Sequence, residues 1–245
     1  LGWSLHVTTI VEELLIANES NGGCTIVILG RKSRSEMSNL INEKIKDFKG
    51  SKIIFRSGDR RSKSDLLQVS LDTSKNIIIN QHSHIPSDIP KTLLAILNRP
   101  ERRQEPFHIT AVIEEKEEIE IAKFIGKEEL QLIESNDFLA RLEAQTCRQV
   151  GLPYVYEELF NFSGEEIYIS YEQELIGLTY GEALFKFNDS TLIGLCNEND
   201  EILINPKPDT KINKGFKIIV ISEDDSTVRI SDGLDLDIQN SLIVP

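Results

Sequence analysis

The sequence is poor in the features that mark specialised chains. Only 3 cysteines occur in 245 residues, Cys24, Cys147 and Cys196, far apart and never as Cys-x-x-Cys. That excludes a disulfide scaffold and suits a reducing compartment. Long apolar runs are scarce too. Runs such as residues 24–29 and 218–221 are far short of the ~20 needed to cross a bilayer. No initiator methionine and no signal peptide opens the chain. It begins at Leu1-Gly2-Trp3, which reads as the end of a strand that starts upstream, so a piece of a longer protein is expected. Catalytic signatures are missing: there is no G-x-S-x-G, no Walker lysine, and no Cys set near a His in a known pattern. A sensor is expected rather than an enzyme.

Positive charge is also in short supply. There are 27 Lys+Arg against 40 Asp+Glu, a net charge of −13. Residues 1–100 carry a net +4 and residues 101–245 a net −17. A nucleic-acid binder shows a basic face, so no nucleic-acid partner is expected. The acidic half either attracts cations or simply keeps the surface solvated. With 40% apolar and 27% charged residues, the composition is globular, enough for one large domain or two small ones.

Strand and helix patterns alternate through the first 134 residues. Leu5, Val7, Ile10, Val11, Leu14 and Leu15 have helical spacing, closed by Asn21-Gly22-Gly23. Residues 24–29 read as a strand buried on both faces. Met37, Leu40, Ile41, Ile45 and Phe48 give the next helix, and residues 52–55 the next strand. Ser62-Lys63-Ser64-Asp65 has capping-box spacing. Strands follow at 77–79, 108–113 and 130–133, with helices opening at Asp88-Ile89-Pro90 and at Glu117. This grammar predicts an α/β, Rossmann-type doubly wound parallel sheet over residues 1–134, of six strands once the first is completed. A helix-turn-helix crossover is expected over 135–160. A small, β-rich α+β lobe is expected over 161–230, and a loosely ordered tail over 231–245.

In a doubly wound sheet ligands bind beyond the carboxyl ends of the strands, at the switch point. That nominates Gly2, Trp3, Ser4, Arg31, Lys32, Gly58, Asp59, Asn80 and Gln81 as a crevice for a nucleotide or an ion. The dinucleotide fingerprint G-x-G-x-x-G is broken, because residues 2–7 keep only the first glycine. No acid follows the second strand, so NAD is not expected. Arg31 and Lys32 either meet a phosphate, as of NADP in a soluble reductase, or are solvated loop cations. His82-Ser83-His84 lacks further zinc ligands. Asp59, Glu114 and Glu115 supply oxygen ligands of the kind Ca²⁺ prefers, although helix-dipole complementarity accounts for the neighbouring Glu117 and Glu118 without an ion.

Several ordered motifs together carry a resemblance. Gly2-Trp3-Ser4 precedes a helix with Glu12-Glu13-Leu14, and Ser57-Gly58-Asp59 follows a strand. Arg148-Gln149-x-Gly151-Leu152 ends the crossover helix, and residues 175–182, Leu-Ile-Gly-Leu-Thr-Tyr-Gly-Glu, open the small lobe's helix. The set resembles RCK domains, regulators of K⁺ conductance, and within them the Castor and Pollux branch of ion channels and its bacterial relatives. Residues 14–23, 56–58 and 220–225 carry that closer match. The resemblance implies a ligand-sensing gating-ring domain on the cytoplasmic side of a membrane cation channel. It further implies pairing through the crossover, assembly into an eight-domain ring, attachment to a pore-forming transmembrane part, and control by Ca²⁺ in some members and nucleotides in others. A nucleotide-binding subunit of a Trk-type K⁺ transporter is the related alternative.

Overall fold

The computed structural model describes residues 1–80 and 88–231. Two compact units divide the chain, Leu1–Leu152 and a second that begins at Pro153. The division falls within the stretch read as the crossover.

The first unit runs α1 (Val7–Ala17), β1 (Thr25–Gly30), α2 (Arg34–Lys44), β2 (Lys52–Ser57), α3 (Lys63–Leu66), β3 (Ile77–Ile79), α4 (Asp88–Leu97), β4 (Ile109–Ile113), α5 (Lys116–Gly126), β5 (Leu130–Glu134) and α6 (Ser135–Arg148). β1 and β2 pair in parallel, with Thr25 opposite Lys52 and Gly30 opposite Ser57. β3, β4 and β5 form a second parallel set in that order. Ile28, Leu29, Ile77, Ile79, Ile109 and Ile113 are all buried, as β-branched and aliphatic runs must be when helices cover a parallel sheet. α1 and α2 pack Val7, Val11, Leu15, Met37 and Ile41 with Ile28 of β1. α4 and α5 supply Ile89, Leu93, Ile96 and Ile119 to a core shared with β3 and β4. The parallel α/β architecture is the expected one.

Several local readings needed correction. Leu5 fits the helical spacing of α1 but is 94% exposed, and the helix starts two residues later. α2 ends at Lys44, and Ile45 is buried outside the helix. Ser62 does cap α3 by accepting from Asp65 N. The reciprocal half of the box is replaced, because the Asp65 carboxylate accepts from Asp59 N at 2.8 Å instead.

Gly23 sets the approach of two loops. Its φ is +93°, and an added Cβ would lie 2.5 Å from Gly50 C and 2.6 Å from Gly50 O. Backbone cannot yield as a flexible side chain can. Gly23→Ala is therefore expected to destabilise the first unit by about 3 kcal/mol, read as a lower urea midpoint at unchanged slope.

The second unit contains most of α7 (Leu152–Leu159), then β6 (Glu166–Ser170), α8 (Tyr180–Ala183), β7 (Thr191–Cys196), β8 (Ile202–Ile204) and β9 (Lys217–Ser222). The strands form one antiparallel sheet in the order β6-β9-β7-β8. Leu192, Leu195, Ile218 and Val220 pack with Leu175, Tyr180 and Ala183. The helix read over 180–187 is split here into α8 and a 3-10 turn, Leu184–Lys186. Thr179 and Glu182 form a full capping box at α8, so part of the 175–182 motif is explained by helix initiation. Asp224 plays the same part for the turn Asp225–Thr227, accepting from Ser226 N at 2.8 Å. Among the described residues, no helix is long and apolar enough to cross a membrane.

Candidate functional site

The carboxyl ends of the first unit's strands bring together the residues nominated at the switch point. Gly2 N donates to Leu29 O at 2.8 Å, and Asn80 N donates to Leu1 O at 3.0 Å. Gly2 has φ +99°, and a Cβ there would meet Arg60 Nη1 and lie 2.9 Å from Asn80 O. Trp3 takes a packing role: it joins the α1–α2 core, and its Cβ lies 3.2 Å from where a Cβ on Gly30 would stand. Ser4 Oγ accepts from His6 N at 3.3 Å, just ahead of α1.

The centre of this rim is filled by a side chain that sequence reasoning did not nominate. Arg60 lies three residues beyond the end of β2 and is 5% exposed. Its Nη1 donates to Leu1 O at 3.0 Å and also to Asn80 O. Its Nη2 pairs with Asp88, which is 4% exposed and opens α4. A guanidinium thus caps the ends of two adjacent strands while a carboxylate at a helix N-terminus neutralises it, a position that favours negative charge. Burial pulls Arg60 below the usual arginine range, and the Asp88 charge opposes that shift. The space left among Gly2, Trp3, Gly30, Gly58 and Arg60 is about 20 Å³, room for a water molecule.

The outer rim is paired internally. Asp59 accepts from Arg61 Nε at 3.0 Å and Nη2 at 2.7 Å, and from Arg31 Nη2 at 2.8 Å. Hydrogen bonds from Arg61, then those from Arg31, hold the Asp59 carboxyl far below the usual carboxylate range. Lys32 pairs with Glu36 one turn into α2. The two cations weighed as phosphate readers are thus already neutralised by side chains of this chain. Gly58 is pressed against Asp65, since an added Cβ would lie 2.9 Å from its carboxyl carbon.

The proposed oxygen-ligand trio is not brought together. Asp59 follows β2 and Glu114 follows β4, and the strand order puts β1, the Leu1–Gly2 stub and β3 between them, about four strand spacings or ~19 Å. Glu114 O accepts from Asn136 Nδ2 at 3.0 Å, and Glu115 is the N-cap residue of α5. Among the described residues, no group of three or more His, Cys, Asp or Glu side chains gathers to hold a metal ion. Gln81, His82 and His84 lie outside the described residues, as do Asp232, Asp235 and Asp237.

Comparison with known proteins places this geometry. The family described as "Castor and Pollux, part of voltage-gated ion channel" matches residues 136–237. The rice (Oryza sativa subsp. japonica) "Probable ion channel POLLUX" is 29% identical over 231 residues, 93% of this chain and 24% of that protein. The rice "Probable ion channel CASTOR" is 30% identical over 233 residues, 93% of this chain and 26% of that protein. This chain is homologous to part of the Castor and Pollux ion channels. In fold it matches the human SLO3 gating ring with a TM-score of 0.59 at 16% identity, over 92% of this chain and 44% of that one. The chain spans about a quarter of the length of its Castor and Pollux relatives. Those relatives are named as ion channels, not enzymes.

Proposed function

We propose that this chain is a ligand-sensing regulatory module of a Castor/Pollux-type cation channel, seated on the cytoplasmic side and acting through assembly into a gating ring. The observation that carries the reading is homology over 93% of the chain to proteins named as ion channels, in a two-unit fold shared with a gating ring. A ligand favouring one arrangement of the ring would shift its population and transmit the change to a pore. The filled crevice argues against a soluble NADP reductase, because the inner space is taken by Arg60 and the outer cations are paired.

Surface chemistry supports self-association. α6 has 14 residues and buries none of them, with Leu139 51% exposed. Tyr154 and Val155 of α7 are 77% and 52% exposed. Apolar surface of this extent on amphipathic helices marks an interaction site. The chain is expected to sediment as a dimer or larger species at micromolar concentration. Leu139→Asp with Tyr154→Asp should weaken association by about 100-fold while far-ultraviolet circular dichroism stays unchanged. A monomer at every concentration up to 100-fold above the micromolar range, with and without divalent cation, would sink the ring reading.

A further inference from the structure

We propose that the outer face of the second unit's sheet is an interaction surface, and that its partner is the same face of a second copy of this chain. The face includes nothing of α6 or α7, so it is separate from the helical contact proposed above. An antiparallel sheet with one face on a core commonly turns polar side chains to water on the other. Here the core takes Leu192, Leu195, Ile218 and Val220 from one face. On the opposite face the pairing register sets Ile169, Ile219, Gly194 and Ile204 in one row across all four strands. Ile167 and Ile221 form the next row with Thr191, and Ile202 stands opposite Cys196.

This face is open to solvent, level and almost free of charge. Ile167, Ile169, Tyr171, Ile202 and Ile204 are between 47% and 59% exposed. Gly194 keeps the middle of the row flat, since an added Cβ would lie 2.5 Å from Leu203 O and 3.2 Å from Ile204 Cδ1. Residues 153–231 carry 15 Asp+Glu and 6 Lys+Arg, a net −9. Yet the described strand positions on this face include no carboxylate, and their one cation, Lys217, is paired with Asp200 at 3.2 Å. Such depletion of charge marks the centre of a protein interface. Four isoleucines and a tyrosine, each about half exposed, amount to on the order of 500 Å² of apolar surface, at the upper end for a monomer. Two such faces would bury about 1,000 Å², the least that a specific interface needs. A flat, apolar, self-matching surface suits face-to-face sheet packing across a two-fold axis. A charged peptide would find little there to pair with.

The test uses the full chain carrying Leu139→Asp and Tyr154→Asp, which removes the helical contact. Sedimentation equilibrium should still show monomers in exchange with dimers. Adding Ile169→Lys and Ile204→Lys should weaken that dimer by about 100-fold, whereas Ile169→Val with Ile204→Val should leave it standing. Both positions are exposed, so the thermal midpoint should hold. If the lysines lower it, Ile169→Thr with Ile204→Thr removes apolar contact with a residue that suits a strand, and should weaken the dimer by about tenfold. Sodium chloride should tighten the pairing, because it screens the repulsion between two acidic units. A chain that stays monomeric even at millimolar concentration, or a dimer that the lysine and threonine pairs leave unchanged, would overturn the proposal. So would a dimer that salt dissolves, since charged surface would then hold it. Dimers that form only after the chain is shortened to Ser231 would give the face to residues 232–245 and overturn the assignment to a second copy.

Discussion

Asp88→Asn is expected to cost about 3–5 kcal/mol, the largest loss of any single polar substitution in the first unit. Asp88 is the carboxylate partner of a guanidinium that is 5% exposed. Removing its charge takes away the counter-charge in contact with Arg60 and leaves it buried against the carbonyl acceptors of Leu1 and Asn80. Arg61 Nε, 3.6 Å from Asp88 Oδ1, then adds repulsion that the carboxylate now screens. Arg60→Met should cost a similar amount for the mirror reason, a buried Asp88 losing its main counter-charge. The double variant Arg60→Met with Asp88→Leu should be more stable than either single one, because two buried charges are replaced by apolar volume. Urea unfolding of the four chains gives the coupling energy. Additive losses, with no recovery in the double variant, would mean that Arg60 and Asp88 do not act as a pair. Arg60→Ala should also gain a guanidinium-sized hole. Its midpoint should rise in low-millimolar guanidinium relative to sodium at the same ionic strength, and the parent's should not.

The second large effect is one of pH. For the polypeptide that begins at Leu1, stability should fall as pH drops from 8 to 5. Burial, and secondarily the Arg60 charge, lower the Leu1 ammonium from 8.0 to about 5. Between those values the unfolded chain binds a proton that the folded chain does not, so protonation favours unfolding. At ~1.4 kcal/mol per pH unit, the window is worth about 4 kcal/mol. Full stability from this group is present above pH 8 and is lost progressively down to pH 5. Acetylating the α-amine should flatten that part of the profile and leave the acid limb below pH 4, where paired carboxylates such as Asp59 and Asp72 must protonate. An unchanged slope after acetylation would show that the amine is not buried as described.

These two effects mark where sequence reasoning stopped. Arg60 stands beside Gly58 and Asp59 in a stretch read for its glycine and its acid. In the sequence Asp88 reads only as a helix opener. Nothing in their local spacing tells that the two are ion-paired across 28 positions, since that depends on β2 ending and α4 starting at the same rim. Asp59 and Glu114 show the reverse error. Both lie at strand ends, and both were assigned to one rim site. The strand order, with β1, the stub and β3 between them, sends them apart.

What the sequence determined by itself was the class and order of the parts. Period-2 and period-3.6 apolar patterns, with Gly and Asp at their ends, act over a few residues, so the parallel α/β unit and the strand-rich second unit were legible without coordinates. The ordered motifs from Gly2-Trp3-Ser4 to residues 220–225 carried the kinship with Castor and Pollux channels. Only the tertiary structure decided which side chain fills the crevice, which cations are already neutralised, and which face of the second unit's sheet lies open. Those outcomes depend on contacts between residues tens of positions apart, and strand order and burial fix such contacts where local spacing cannot.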